Sequence, residues 1–291
     1  MSLYSFYRIS KPSQDTVPEN DVGSKYTSLR NKTFWGVTVA YSLYYVCRMS
    51  LSVVKQPLID EGVLTAGQLG VIGSALLFVY AVGKFLNGFI ADYCNIRRFM
   101  FTGLAISAVI NLLMGILGII NGSVAIPAGT VFFIFAVLWG LNGWVQSMGS
   151  SPGVISLSRW FPQVKRGTYY SIFSSSPYIG EVISFILTGL VVGAAGWQWG
   201  FVVAAAAGAA GALLILLTVS DTPESKGLPS IQQLSGEQVK PVDKLPTREL
   251  QKMIFRHPGI WVIALSSAFI YITKYAIAFE PLRPYEFHKR M

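Results

Sequence analysis

The sequence predicts an all-α membrane protein: a bundle of six spanning helices, a polar connector and a seventh helix. Three observations carry this. Apolar residues make up 52% of the 291 positions and charged residues only 13%, whereas a domain with a water-facing surface carries roughly a quarter charged residues. The apolar residues are gathered into runs of about 20 or more, the length at which a helix rising ~1.5 Å per residue crosses a ~30 Å hydrocarbon core. The segments between these runs alternate between basic and non-basic, the charge bias of a multi-pass protein.

Residues 1–33 are polar and hold Arg8, Lys11, Lys25, Arg30 and Lys32. No apolar core follows a short basic start, so they read as a cytoplasmic lead-in and not as a cleavable signal. Spans are expected near 34–54, 67–91, 98–120, 126–148, 166–194 and 197–219, giving a six-helix unit over 34–219. A polar segment, 220–257, follows as a central cytoplasmic loop. A seventh span is expected at 258–279, and 280–291 is an atypical charged tail. Gly and Pro interrupt spans four to six, which membrane helices tolerate when neighbours satisfy the freed backbone groups.

The net charge of +9 is decided by where the basic residues lie. Arg97 and Arg98 fall between spans two and three, and Arg159, Lys165 and Arg166 between four and five. Lys226, Lys240, Lys244, Arg248, Lys252 and Arg256 fall after span six. The loop after span one sets Lys55 against Asp60 and Glu61, and 121–125 carries no charge. This is the positive-inside pattern with a cytoplasmic N-terminus, in an integral protein of the cell or inner membrane. Dispersal among loops on one side removes the nucleic-acid reading of the charge. Two Cys and two His leave no disulfide framework, no imidazole-rich metal site and no Ser–His–Asp relay. No phosphate-cradling loop and no working pair of carboxylates is present, so neither an enzyme nor a cofactor is expected. The Gly-rich stretch 193–211 reads as helix packing, because no strand–turn–helix surrounds it.

Four ionisable residues lie inside apolar runs: Arg48, Lys84, Glu181 and Lys274. Each costs about 2.5–3.5 kcal/mol at a bilayer centre on insertion scales. The alternatives to a functional role are a structural ion pair or a side chain reaching to the interface. Tyr41, Tyr44 and Tyr45 precede Arg48 by seven, four and three residues and so share its helix face. Tyr80 and Asn87 lie one turn either side of Lys84. Fixed cations and several hydroxyls against one intramembrane carboxylate suit an anion, since Arg offers a fork matched to phosphate or carboxylate oxygens and Lys a point charge. Residues 40–48 also line up with 266–274, each placing a Tyr three residues before a cation, as parallel repeats facing one cavity would.

Gly88, Asp92, Arg97 and Arg98 fit the spacing G-x-x-x-D-x-x-x-x-R-R. A small Gly permits close helix approach, and Asp92 is available to helix ends and loop cations that hold a gate together. This resembles the loop signature of the major facilitator superfamily, and Arg159 with Lys165, Arg166 and Gly167 resembles its counterpart before helix five. Tyr44-Tyr45-Val46-Cys47-Arg48, Tyr80-Ala81-Val82-Gly83-Lys84-Phe85 and the string Asp221 to Pro229 resemble the first helix, second helix and central-loop entry of the organophosphate:phosphate antiporter family. The resemblance covers about residues 30–278. It implies a major-facilitator-type fold of two six-helix halves, monomeric at full length. It implies exchange of a sugar phosphate or glycerol 3-phosphate for inorganic phosphate. It maps phosphate-binding cations onto Arg48 and Lys274, with Lys84 and Tyr80 at further site positions; Tyr41 and Tyr45 complete the expected substrate site.

Three departures stand out. The family's helix-seven cation is Arg where this chain has Lys274. A His-Asn pair in helix five is replaced by Pro177-Tyr178, followed by Gly180-Glu181, and Glu181 brings a carboxylate to which the pattern assigns no role. Twelve helices are implied, yet the chain stops at the seventh with a charged, Pro-broken string, Ala278 to Met291. That string reads as a truncated or out-of-frame end; the alternative is a half-transporter that dimerises. A non-transporting membrane sensor of organophosphates is the alternative function.

Overall fold

The structure is a computed structural model that describes residues 3–124, 126–236 and 247–279. In chain order its helices are α1 (Leu3–Tyr7), α2 (Glu19–Asp60), α3 (Ala66–Asp92), α4 (Ile96–Ser123), α5 (Ala128–Trp160), α6 (Gln163–Phe173), α7 (Ser176–Ala195), α8 (Trp197–Thr218), α9 (Ile231–Ser235), α10 (Thr247–Arg256) and α11 (Pro258–Phe279). No strand occurs among the described residues, and six segments are long and apolar enough to cross a membrane: α2, α3, α4, α5, α6 with α7, and α8. The chain forms two compact units, Met1–Glu237 and Gln238–Met291. The protein is all-α and multi-pass, as expected from the spacing of its apolar runs.

Two helices outrun the apolar stretches that announce them. α2 begins at Glu19, well before the expected 34, because Val22, Tyr26, Leu29 and Thr33 turn one face inward while the polar residues between them face out. That i, i+4, i+7, i+11 stripe is amphipathic and invisible to a search for unbroken apolar runs. α5 continues past 148 to Trp160 for the same reason, burying Ser156, Leu157 and Trp160.

The fifth span is broken in two, and Pro177 explains the break. Proline has no N–H for the carbonyl four residues back, and its ring collides with it. The freed Phe173 carbonyl accepts the Ser176 hydroxyl at 2.6 Å instead. Side chains cap the starts of α3 and α4. Thr65 and Gln68 form a capping box at the start of α3, and the Asn95 side chain accepts from the Arg98 N–H at 3.0 Å at the start of α4. Gly196, with φ +97°, turns the chain directly from α7 into α8, a conformation open to Gly at little cost.

Within the first unit α3 packs mainly on α5, α4 on α8 and α5, and α2 on α7 and α8. Small residues set the close approaches. A Cβ at Gly143 would collide with the Leu76 backbone carbonyl, and one at Gly180 with the Ser42 carbonyl. A Cβ at Gly208 would lie 2.6 Å from Cys47 Sγ, so the Gly-rich helix α8 is indeed a packing surface. Gly88 is not such a point: a Cβ there would meet only the Ser151 hydroxyl, at 3.9 Å.

Candidate substrate site and the latch beneath it

α2 carries Tyr41, Tyr45 and Arg48, and α3 carries Tyr80 and Lys84. These two helices pack little against each other, and the side chains bridge the gap. Arg48, only 6% exposed, holds its guanidinium 4.1 Å from the Tyr80 ring centroid and 5.5 Å from that of Tyr45. Lys84 places its ammonium 5.7 Å from the same Tyr80 ring. Two cations therefore flank one aromatic ring, an attraction worth about 0.5–2 kcal/mol each depending on desolvation. The Tyr80 hydroxyl lies within electrostatic reach of both. Lys84 is exposed on the gap and meets no carboxylate among the described residues.

Tyr41 stands at the buried end of this cluster. Its ring stacks on Phe173 at 5.1 Å and meets Tyr45 edge-on at 5.6 Å, so it links the site to the α6–α7 break. Helix α7 is drawn in at Gly180, against Ser42 and Tyr45. The next residue, Glu181, is half-buried and makes no ion pair among the described residues.

Some residues that share a helix with the site turn away from it. Tyr44 is fully buried against α4, where its hydroxyl donates to the Met100 carbonyl at 2.6 Å. Asn87 faces α5 and donates to the Ser147 hydroxyl at 2.7 Å. Behind the site a buried polar chain ties three helices together. The Ser50 hydroxyl donates to Asn111 Oδ1 at 2.7 Å, Asn111 Nδ2 to the Cys47 carbonyl at 3.1 Å, and Ser107 to Asn142 Oδ1 at 2.7 Å. Lys274 lies on α11 in the second unit; its side chain, and all of 237–246 and 280–291, lie outside the described residues.

The loop motif is built differently from the expectation. The carboxylate that holds the basic end together is Asp221, not Asp92, whose side chain is exposed. Asp221 takes Arg159 Nη1 at 2.5 Å, the Ile96 N–H at 3.0 Å and the Ser10 N–H at 2.8 Å. Asp92 contributes its carbonyl, which accepts from Arg159 Nη2 at 3.2 Å. Arg97 donates to the Leu216 carbonyl, and Arg98 to the Phe6 carbonyl at 2.7 Å.

Residues 3–18, expected as a simple lead-in, are bound into the same assembly. Asn95 N–H donates to the Tyr7 carbonyl at 2.7 Å, Ser13 N–H to Glu224 and Val17 N–H to Gly227. Burial pushes the Cys94 thiol above its ordinary range; Asp221 adds to the rise and Arg159 opposes it. Asp221 was visible in the sequence only as the first residue of a family-like string. The available signal was an acid closing one apolar span with a base, Arg159, closing another at the same end.

Comparison with known proteins adds the lineage. The family model described as Major Facilitator Superfamily matches residues 37–287. A probable hexose phosphate transport protein of Chlamydia pneumoniae is 31% identical over 287 residues, covering 94% of this chain and 60% of that protein. A glycerol-3-phosphate transporter of Bacillus subtilis is 29% identical over 273 residues, covering 91% and 60%. The membrane sensor protein UhpC of Salmonella typhimurium is 24% identical over 281 residues, covering 94% and 61%. The chain thus spans about 60% of the length of these curated relatives. Among solved structures, a bacterial homologue of the human lysosomal transporter Spinster, inward-facing and unoccupied, superposes with a TM-score of 0.60 at 18% identity, covering 83% of this chain and 52% of that one.

Proposed function

This chain belongs to the Major Facilitator Superfamily, and on that premise we propose that it carries the phosphate-recognising wall of a secondary transporter. Its substrate is a sugar phosphate or glycerol 3-phosphate, exchanged for inorganic phosphate by alternating access. The observation that carries this reading is the pair of cations on one ring, with Arg48 at 4.1 Å and Lys84 at 5.7 Å from the Tyr80 centroid. A phosphate group entering the gap between α2 and α3 takes the Arg48 fork and the Lys84 point charge together. The hydroxyls of Tyr45 and Tyr80 serve the remaining oxygens, and Tyr41 backs the cluster.

Exchange follows from charge. The Arg48 and Lys84 cations accept either anion, so organophosphate and inorganic phosphate compete for one site and each occupies it on one leg of the cycle. A ligand drives the cycle through its different affinities for the two access states. The positive-inside bias supports a cytoplasmic basic end, N-terminus and central loop.

Two kinds of relative bear on the choice between turnover and sensing, because one carries the name of a transporter and another that of a sensor. The test is uptake of a labelled hexose phosphate and of glycerol 3-phosphate into proteoliposomes loaded with inorganic phosphate, paired with a binding titration. Uptake that needs internal phosphate and falls at least tenfold in Arg48→Ala is expected. Binding without uptake selects the sensor reading, and absence of both overturns the assignment.

A further inference from the structure

We propose that the basic end of the first unit holds a second phosphate site, separate from the Arg48–Tyr80–Lys84 cluster. A cavity of about 430 Å³ opens there between the N-terminal segment, the start of α4 and the chain leaving α8. Four cations line it: Lys11, Arg97, Arg98 and Lys226. The one carboxylate among its lining residues is Asp221, and its charge is already taken by Arg159 at 2.5 Å and two backbone N–H groups. The cavity is therefore strongly positive with no counter-charge of its own.

A second observation points the same way. Arg97 Nε is buried and has no hydrogen-bond partner, while one of its terminal nitrogens is held by the Leu216 carbonyl. A buried guanidinium N–H left unsatisfied carries the desolvation penalty of a charged donor. Arg98 is likewise committed through one nitrogen only, to the Phe6 carbonyl. The terminal guanidinium nitrogens of Arg97 and Arg98 not used in those bonds, with the ammoniums of Lys11 and Lys226, form the donor set that a phosphate group requires.

The size and floor of the cavity extend the argument. Its volume exceeds by an order of magnitude the ~30 Å³ share of one water, leaving room for more than a bare ion. Phe101 and Leu216 line it within about a turn and a half of the ends of α4 and α8, so polar and apolar parts of one ligand are both accommodated. A phospholipid headgroup with its glycerol and the start of an acyl chain meets this description. A free phosphate or phosphate ester uses the same donors without the floor.

The two sources separate in one experiment on the full 291-residue chain. Delipidated protein is offered short-chain phosphatidylglycerol or phosphatidylcholine, and retained lipid is counted by native mass spectrometry. Inorganic phosphate is measured by equilibrium dialysis in an Arg48→Ala background, which removes the central site's contribution. Selective retention of one phosphatidylglycerol, or saturable phosphate binding in that background, is expected; the first identifies a lipid site and the second a free-anion site. Either signal falls at least tenfold in Lys11→Gln/Lys226→Gln, whose side chains make no hydrogen bond among the described residues, and in Arg97→Gln. Retention indifferent to headgroup together with no phosphate binding overturns the proposal, as does a signal unchanged by the Lys11→Gln/Lys226→Gln pair.

Discussion

Replacing Asp221 with Ala strikes the basic end of the bundle at its most connected point. The carboxylate holds Arg159 Nη1 at 2.5 Å, the Ile96 N–H at 3.0 Å and the Ser10 N–H at 2.8 Å. The paired side chains are 13% and 2% exposed, so the loss falls on the scale of a buried pair. Removing one partner of such a pair costs about 3–5 kcal/mol. Hydrogen bonds to charged groups are worth about 1.5–3 kcal/mol each, a contribution that overlaps with the first and does not add to it. Arg159 keeps the carbonyls of Cys94 and Asp92, each at 3.2 Å, which places the expected loss near the lower end, about 3 kcal/mol. Asp221→Asn retains one acceptor and loses the charge, with an expected cost of about 1.5–3 kcal/mol. Arg159→Leu/Asp221→Leu leaves no unpaired charge and costs less than the two single Leu substitutions summed. The assay is denaturant unfolding of the purified chain in detergent, followed by tryptophan fluorescence. Trp160 reports locally, because its indole donates to the Ser220 carbonyl at 3.1 Å. A single-substitution cost below about 0.5 kcal/mol, the range of an ordinary surface change, with additive behaviour in the double, would refute the latch.

Three further outcomes are expected. Tyr80→Phe keeps the ring that Arg48 and Lys84 flank and weakens organophosphate binding only a few-fold, whereas Tyr80→Ala removes both contacts and costs at least tenfold, read by calorimetric titration. Gly143→Ala forces a Cβ onto the Leu76 carbonyl where α3 meets α5 and destabilises by about 1–3 kcal/mol; Gly122→Ala, with open space around it, stays near wild type in the same unfolding assay. Cys94 alkylation follows its thiolate, so its rate–pH midpoint lies above that of a free thiol near ~8.5. The midpoint moves down in Asp221→Asn and up in Arg159→Leu, from the signs of those two neighbours; shifts of the same sign in both would contradict the geometry.

The fold was legible because hydrocarbon imposes long apolar runs and a one-sided distribution of charge, and both are properties of composition along the chain. Amphipathic extensions were not, since the polar residues of 19–33 mask a helix that needs only one buried stripe. Helical arithmetic put Tyr41, Tyr44 and Tyr45 on the face of Arg48. Tyr44 and Tyr45, however, are ~100° apart on that face, and the two edges meet different neighbours. Tyr44 goes to Met100 of α4, and Tyr45 goes to the gap beside α3. Arg48 and Lys84 were legible as costly charges, but their meeting on Tyr80 is a contact between helices that no spacing within one helix encodes. Asp221 was hidden for the same reason: its partners Arg159, Ile96 and Ser10 come from three distant parts of the chain. The close approach expected at Gly88 falls instead at Gly143 and Gly180, because which glycine meets a neighbouring backbone depends on packing, not on motif.

The most direct test of the central claim is a binding titration of the purified chain with a hexose phosphate and with the same hexose unphosphorylated, repeated in Arg48→Ala and Lys84→Gln. Recognition through the phosphate predicts binding of the phosphorylated sugar alone. It predicts a loss of tenfold or more in Arg48→Ala, where a forked charged contact of about 1.5–3 kcal/mol disappears, and a smaller loss in Lys84→Gln. Equal binding of the two sugars, or unchanged affinity in Arg48→Ala, would contradict it.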